Sequence, residues 1–306
     1  MATVAGRWVA FLRGHAVVFE EARRLGRLIR RDPLAVVGLG IVAVFVAAAV
    51  LAPVLAPYPN EGRGTSNLSR ILQPPSPAHP FGTDELGRDL LSRVLFGATL
   101  AFQVGVAVVL LAFLVGAPLG VIAGYYRGFV EEAIMRVTDM FLAFPPILLA
   151  LVIAAALGRG SGAVIVAIAI SFWPWYTRLV HGQVLHIRSQ PFVEAAVALG
   201  LPRRRIVFRH VFPNALAPAT IQASMDVGSA ILAAAALNFL GLGPQPPTPD
   251  WGVMVNTAYA TGNFATFWWY ATFPGLAIFV VVLAFNLIGD STREILDPKL
   301  RRRRLL

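Results

Sequence analysis

Phe192-Val-Glu-Ala-Ala-Val-Ala-Leu-Gly200 runs on into Leu201-Pro-Arg-Arg-Arg-Ile-Val-Phe-Arg-His-Val-Phe-Pro-Asn214, and this polar, basic stretch lies between two long apolar blocks. A single arginine at the centre of a bilayer costs about 2.5–3.5 kcal/mol even on the most lenient scale. The stretch therefore reads as a water-facing loop and the blocks beside it as membrane spans. A membrane protein that gathers so many ordered basic residues on one side is presenting them to a soluble partner.

Composition extends this reading to the whole chain. Its 306 residues are 57% hydrophobic and only 14% charged, against roughly 25% charged in a soluble domain. The mean hydropathy is +0.69. A helix that crosses the hydrocarbon layer needs about 20 apolar residues. Blocks at 34–56, 100–123, 138–158, 162–180, 217–242 and 271–290 meet that length. The chain is thus expected to be an all-α, polytopic membrane protein with about six spans. Its segments would be an N-terminal amphipathic stretch (1–33), a first span (34–56), a loop (57–99), a five-helix core (100–290) with an inner loop at 185–216, and a basic tail (291–306). The first block is not a cleaved signal, because it is long, lacks an A-x-A-like exit and follows some thirty Arg-rich residues. Residues 7–30 interleave Trp8, Phe11, Leu12, Val18, Phe19, Leu25 and Leu28 with arginines. That suits either a helix lying on the inner leaflet or a loosely ordered basic tail. Arg301–Arg304 reads as an anchor on anionic lipid.

The basic residues set the orientation. Of 26 Lys and Arg, seven precede the first span (Arg7 to Arg31) and Arg127 and Arg136 lie between spans two and three. Six more are Arg178, Arg188, Arg203, Arg204, Arg205 and Arg209, and six follow the last span (Arg293 to Arg304, with Lys299). Only Arg63, Arg70, Arg88, Arg93 and Arg159 fall on the other side. By the positive-inside rule, both termini and the 181–216 loop are expected in the cytoplasm. The charge is divided among loops without an aromatic-basic platform, so nucleic acid is not an expected partner. The chain has no Cys, which removes disulfides and thiolate chemistry.

On the outer side, Asp84, Glu85, Arg88 and Asp89 could hold a metal. The better reading makes Gly82 and Gly87 turn residues, lets Asp84 or Thr83 cap the next helix, and pairs Arg88 locally. No metal is expected. The second outer loop, 243–268, carries Pro244, Pro246, Pro247 and Pro249 with Trp251 and Trp268, a stiff path with aromatic residues for the interface.

The inner loop has helical punctuation. Pro191 suits a first turn, and Glu194 falls where the helix dipole favours an acid. Phe192, Ala195, Ala196 and Leu199 share one face. Gly200 suits a C-terminal cap. Pro202 opens a second, basic helix with Arg203 and Arg204, which Pro213 is expected to stop.

Glu194-Ala-Ala, Gly200 six residues on and a downstream Pro213-Asn214 resemble the EAA loop of bacterial ABC importer permeases. His79-Pro-Phe-Gly-Thr-Asp-x-x-Gly-Arg-Asp89, Asp139-x-x-x-Ala-Phe-Pro145, Arg209-His-Val-x-Pro-Asn214, Phe239-Leu-Gly-Leu-Gly243, Pro246-Pro247 and Trp251-Gly252 resemble the C-type permease of dipeptide and oligopeptide importers. The likeness spans roughly residues 25–298. It implies a type I ABC importer fold in a bacterial inner membrane, with alternating access. It implies a B-type permease, two ABC ATPases that carry ATP and Mg²⁺, and an extracytoplasmic solute-binding protein as partners. It makes Phe192, Glu194, Ala195, Ala196, Leu199, Gly200, Arg203 and Arg204 the ATPase-coupling residues. Dipeptide, oligopeptide, glutathione and nickel importers share this architecture.

The residues themselves agree that energy comes from elsewhere. The chain has no G-x-x-x-x-G-K-[ST] phosphate loop, no H-E-x-x-H and no G-x-S-x-G. It carries no catalytic residues and no cofactor of its own on this reading. A channel would show polar-lined spans or charged rings, and a secondary transporter internal repeats; neither pattern is present. Gly116, Gly120 and Gly124 share one face of the second span and invite close helix packing. Asp226, an acid within a span, is expected either to face the translocation pathway or to bond across a subunit interface. Met225 and Asn238 are expected on the same face.

Overall fold

The computed structural model describes residues 32–262 and 265–296, with the backbone alone for 293–296. The proposed amphipathic stretch before Asp32 and the Arg301–Arg304 anchor lie outside the described residues. Helix α1 covers Pro33–Leu55, α2 Pro59–Arg63, α3 Leu90–Tyr126, α4 Gly128–Leu142 and α5 Pro146–Leu157. Then follow α6 Ser161–Arg188, α7 Pro191–Ala198, α8 Arg203–Phe239, α9 Trp251–Ala260 and α10 Trp268–Leu296. Among the described residues, α1, α3, α6, α8 and α10 are each long and apolar enough to cross a membrane, and α4 with α5 would make a sixth, broken span.

Several boundaries differ from the sequence reading. The second span begins at Leu90 because Asp89 caps it, its Oδ2 accepting from Ser92 N at 2.8 Å. Asp84 and Thr83 therefore do not cap it. The span expected at 138–158 is two helices, bent by 89° at Ala143–Pro145. Pro145 and Pro146 remove two consecutive N–H donors there, which ends a helix. The fourth span does not stop near residue 180 but runs to Arg188. Pro213 does not stop the basic helix either. The backbone widens into a π turn over Val207–Val211, a geometry that tolerates the missing N–H, and Asn214 Nδ2 donates to the His210 carbonyl at 2.6 Å. The basic segment and the fifth span are thus one helix.

The glycine seam behaves as its spacing predicts. A methyl group on Gly116 would stand 2.3 Å from the Trp173 carbonyl, one on Gly120 2.6 Å from the Thr177 carbonyl, and one on Gly124 2.8 Å from Val184 Cβ. All three contacts are on α6, so only glycine lets α3 and α6 approach this closely. Thr177 Oγ1 adds a bond to the Gly116 carbonyl across the seam, at 3.0 Å. Around this pair the core falls into layers. The middle layer joins Val104, Val108, Val164, Ile168, Tyr176 and Leu237. The outer layer joins Phe45, Leu90, Trp251, Tyr270 and Phe285. The inner layer joins Val121, Val184, Val193, Ile206 and Val211.

The outer loop is an ordered cap. Gly82 and Gly87 have φ of +76° and +70°, as their place in turns requires. Asp84 is fully buried and accepts from Arg88 Nε at 2.6 Å and Arg93 Nε at 3.3 Å. It also accepts from the backbone N–H of Leu86 and of Arg88. Arg70 Nη1 lies 3.1 Å from His79 Nε2. A guanidinium only donates, so His79 Nε2 accepts and its Nδ1–H donates to Asp89 Oδ1 at 2.8 Å. Trp269 Nε1 donates to the Thr83 carbonyl, Tyr270 bonds Glu85, and Arg93 Nη1 donates to the Pro247 carbonyl at 3.3 Å. These bonds fasten the cap to α3, α10 and the second outer loop.

Candidate functional site

The inner end is organised around α7. Pro191 occupies its first turn and Glu194 follows within that turn. Its C-terminus closes with Gly200 N bonded to the Val197 carbonyl and Leu201 N to the Ala196 carbonyl. Gly200 takes φ +70° to make this closure, the Schellman arrangement that favours glycine. The expected outward face is only partly right. Phe192, Glu194, Ala195 and Leu199 are exposed, but Ala196 turns inward beside Val193. Val193 and Ala196 pack on Val180, Val184 and Ile187 of α6 and on Ile206, Val207 and Val211 of α8. This apolar keying fixes α7 to two spans.

Exposed apolar side chains remain on this end. Leu199 is 80% exposed, Phe208 70% and Phe192 46%. Beside them opens a groove of about 600 Å³, lined by Tyr125, Tyr126, Arg188, Glu194, Val197 and Arg203. Arg188 Nη1 donates to the Tyr125 carbonyl at 3.0 Å, and its guanidinium stands 5.9 Å over the Tyr125 ring. Arg203 lines the groove with Glu194, while Arg204 is exposed outside it. Glu131 accepts from His181 Nε2 at 2.7 Å and pairs with Arg127 at 3.5 Å, joining α4 to α6. Asp139 pairs with Arg178. Phe208 and Arg188 were not singled out by sequence; a large apolar residue between Arg205 and Arg209 was the available signal for the first.

A second candidate lies in the membrane. Asp226 accepts from Tyr176 Oη at 2.6 Å and from Gln222 Nε2 at 2.9 Å. It lines a cavity of about 460 Å³ with Pro146, Phe172, Trp175, Tyr176 and Ser229. Met225 and Asn238 are not part of this arrangement. Met225 packs on Gly289 of α10, where an added methyl would meet it at 2.3 Å. Asn238 is buried at the outer end and donates to Asp250 Oδ2 at 2.8 Å. Asp250 caps α9 through Val253 N at 2.9 Å, and burial raises its pKa above the ordinary carboxylate value, partly offset by the Val253 and Asn238 bonds. Tyr176 was missed by sequence, although a tyrosine in mid-span within Trp173-Pro-Trp-Tyr176 was a legible signal. Gln222, one turn before Asp226, was another.

Comparison with known proteins gives one consistent result. Residues 116–302 match the family described as binding-protein-dependent transport system inner membrane component. Residues 23–75 match the N-terminal TM domain of oligopeptide transport permease C. A dipeptide transport system permease of Alkalihalophilus pseudofirmus is 44% identical over 279 residues, covering 91% of this chain and 90% of that protein. A glutathione transport system permease of Pectobacterium atrosepticum is 41% identical, over 91% of each chain. A probable D,D-dipeptide transport system permease of Escherichia coli is 41% identical, over 89% of this chain and 90% of its own. Among solved structures, a chain of the MetNI methionine ABC transporter, inward facing, matches with TM-score 0.51 and 18% identity. It covers 65% of this chain and 96% of that one, a likeness of fold.

Proposed function

Since the chain belongs to the family of inner membrane components of binding-protein-dependent transport systems, and is a permease subunit of an ABC importer, we propose that it carries dipeptides inward as the C-type half of a permease pair. Its partners on this reading are a B-type permease, two ABC ATPases holding ATP and Mg²⁺, and an extracytoplasmic solute-binding protein that delivers the peptide. Both termini and α7 face the cytoplasm, in keeping with the arginine distribution. Di-peptide cargo is favoured by the 44% identical relative; glutathione, the cargo named for a 41% identical one, is the second reading. The relatives' named cargoes share a peptide backbone and a free amino group.

The observation that carries the coupling role is α7 itself. It opens on Pro191 and closes in the Gly200 turn, is keyed to α6 and α8 by Val193 and Ala196, and presents Phe192, Glu194 and Leu199 outward. When partner ATPases close on ATP, α7 would move with them and take α6 and α8 along, opening the permease pair outward. Glu194→Arg and Gly200→Arg test this in proteoliposomes with the complete importer. Both variants should assemble and insert, hydrolyse ATP at the basal rate, and lose dipeptide uptake. Normal uptake in both would remove α7 from the coupling path.

A further inference from the structure

We propose that the mid-membrane cavity beside Asp226 is a transit site for the ammonium group of the substrate, with Asp226 as its counter-ion and Phe172 and Trp175 as aromatic walls. The proposal rests on the importer reading above and adds the chemistry by which the cargo is held on its way.

Depth is the first argument. Asp226 sits at the middle of the regular stretch Phe212–Phe239 of α8, and Tyr176 near the middle of α6, Ser161–Arg188. A carboxylate at that level is costly and is retained where it faces a bundle interior or a polar cavity. The second argument is its partners. Both protein groups bonded to Asp226 are neutral, a phenol and an amide. Among the described residues no Lys, Arg or His lies within ion-pair distance of it, whereas Asp84 and Asp139 each have an arginine. Each carboxylate oxygen takes one hydrogen bond from these two groups and can accept another. Asp226 is thus oriented by two donors and left one positive charge short.

The cavity supplies the rest. At about 460 Å³ it falls in the range of small-ligand pockets, roughly 300–1,000 Å³. Phe172, Trp175 and Tyr176 line it, and aromatic faces attract cations. Pro146, at the break between α4 and α5, lines it as well, and Leu179, Gln222 and Ser229 complete the lining. Irregular backbone at membrane depth is tolerated where it lines a cavity, and substrate sites of transporters sit at such broken helices. An unmodified peptide carries an α-ammonium at neutral pH, since its amine titrates near 8. The fit is to that end of the peptide, because the carboxylate end would meet Asp226 as a like charge.

The test uses the complete importer in proteoliposomes with saturating binding protein, comparing a free dipeptide with its N-formyl form. Asp226→Asn keeps the size and an acceptor but removes the charge. It should lower the kcat for the free dipeptide about tenfold or more, the size of a lost charge-assisted bond, and leave the N-formyl rate within about twofold. Asp226→Glu should restore at least half of the free-dipeptide rate. Equal losses for both cargoes, no loss, or a glutamate as poor as asparagine would overturn the site; a tie to a cation of the partner permease predicts the first of these. If wild type carries the free but not the formylated peptide, the glutamate comparison alone decides. A wild-type importer that moves no peptide would instead overturn the importer reading.

Discussion

At the outer end, Asp84 is buried between Arg88 and Arg93, and His79 is held between Arg70 and Asp89. At the inner end, Glu194, Arg203, Arg204 and Arg205 stand in solvent, and Leu199 and Phe208 are exposed beside them. Both ends are loops between spans, and both are rich in turns set by glycine and proline. The outer one satisfies its charges within the chain. The inner one pairs Glu131, Asp139 and Arg188 within the chain but leaves the charges of α7 and of the start of α8 to solvent, satisfying there only the backbone and one apolar face. A surface that uses a Schellman turn to hold unpaired side chains outward is arranged for a partner, whereas the outer cap is arranged to hold the chain's own spans together. Variants at the two ends should therefore separate stability from coupling.

The largest effect is expected at Asp84. Asp84→Ala leaves the buried Arg93 guanidinium without its carboxylate, leaves Arg88 only the partly exposed Glu85, and leaves two backbone N–H groups without an acceptor. Breaking a buried pair by removing one partner costs about 3–5 kcal/mol. The thermal midpoint of the purified importer complex should fall sharply, with loss of folded protein at 37 °C as the extreme. A midpoint equal to wild type would mean that the outer network is as dispensable as the exposed inner charges, and the contrast would fail.

How much of this was legible in the sequence follows the same division. Periodicity and hydropathy located five spans, since a run of apolar residues has one stable solution in lipid. The glycine seam was legible because three glycines four residues apart leave no side chain to separate two backbones. Helix ends that depend on a distant partner were less legible. Asp89 rather than Asp84 caps α3 because the helix begins at Leu90, while Asp84 closes the preceding turn and reaches across to Arg93. Pro213 looked like a stop, but a π turn, which has no strong sequence signature, carried the helix past it. Ala196 falls in the i, i+3, i+4, i+7 pattern of Phe192, Ala195 and Leu199, and only the packing of α7 beside Val184 and Val211 turns it inward. Asn238 shares a helix with Asp226 but its partner, Asp250, arrives from a loop.

A smaller effect is expected at Gly200. A methyl group there meets nothing within 4 Å, so the cost of Gly200→Ala comes only from φ +70°. That is about 1 kcal/mol. The midpoint of the complex should shift by a few degrees at most, while uptake falls because the closure of α7 loosens. Should Gly200→Ala match Asp84→Ala in thermal loss, α7 would be a pillar of the fold rather than a coupling element.

The smallest stability effect and the sharpest functional one should coincide at Leu199. It is 80% exposed, and substitutions at such surface positions usually change stability by less than about 0.5 kcal/mol. Leu199→Ser should leave the thermal midpoint of the isolated permease pair unchanged. If the side chain fills a pocket on a partner, its truncation costs about 1 kcal/mol or more of binding. The affinity of purified ATPase for permease pairs in nanodiscs should then fall severalfold, and ATP-driven uptake with it. Unchanged affinity with unchanged stability would place Leu199 outside the docking surface and move that surface toward Phe208 and the Glu194–Arg203 groove.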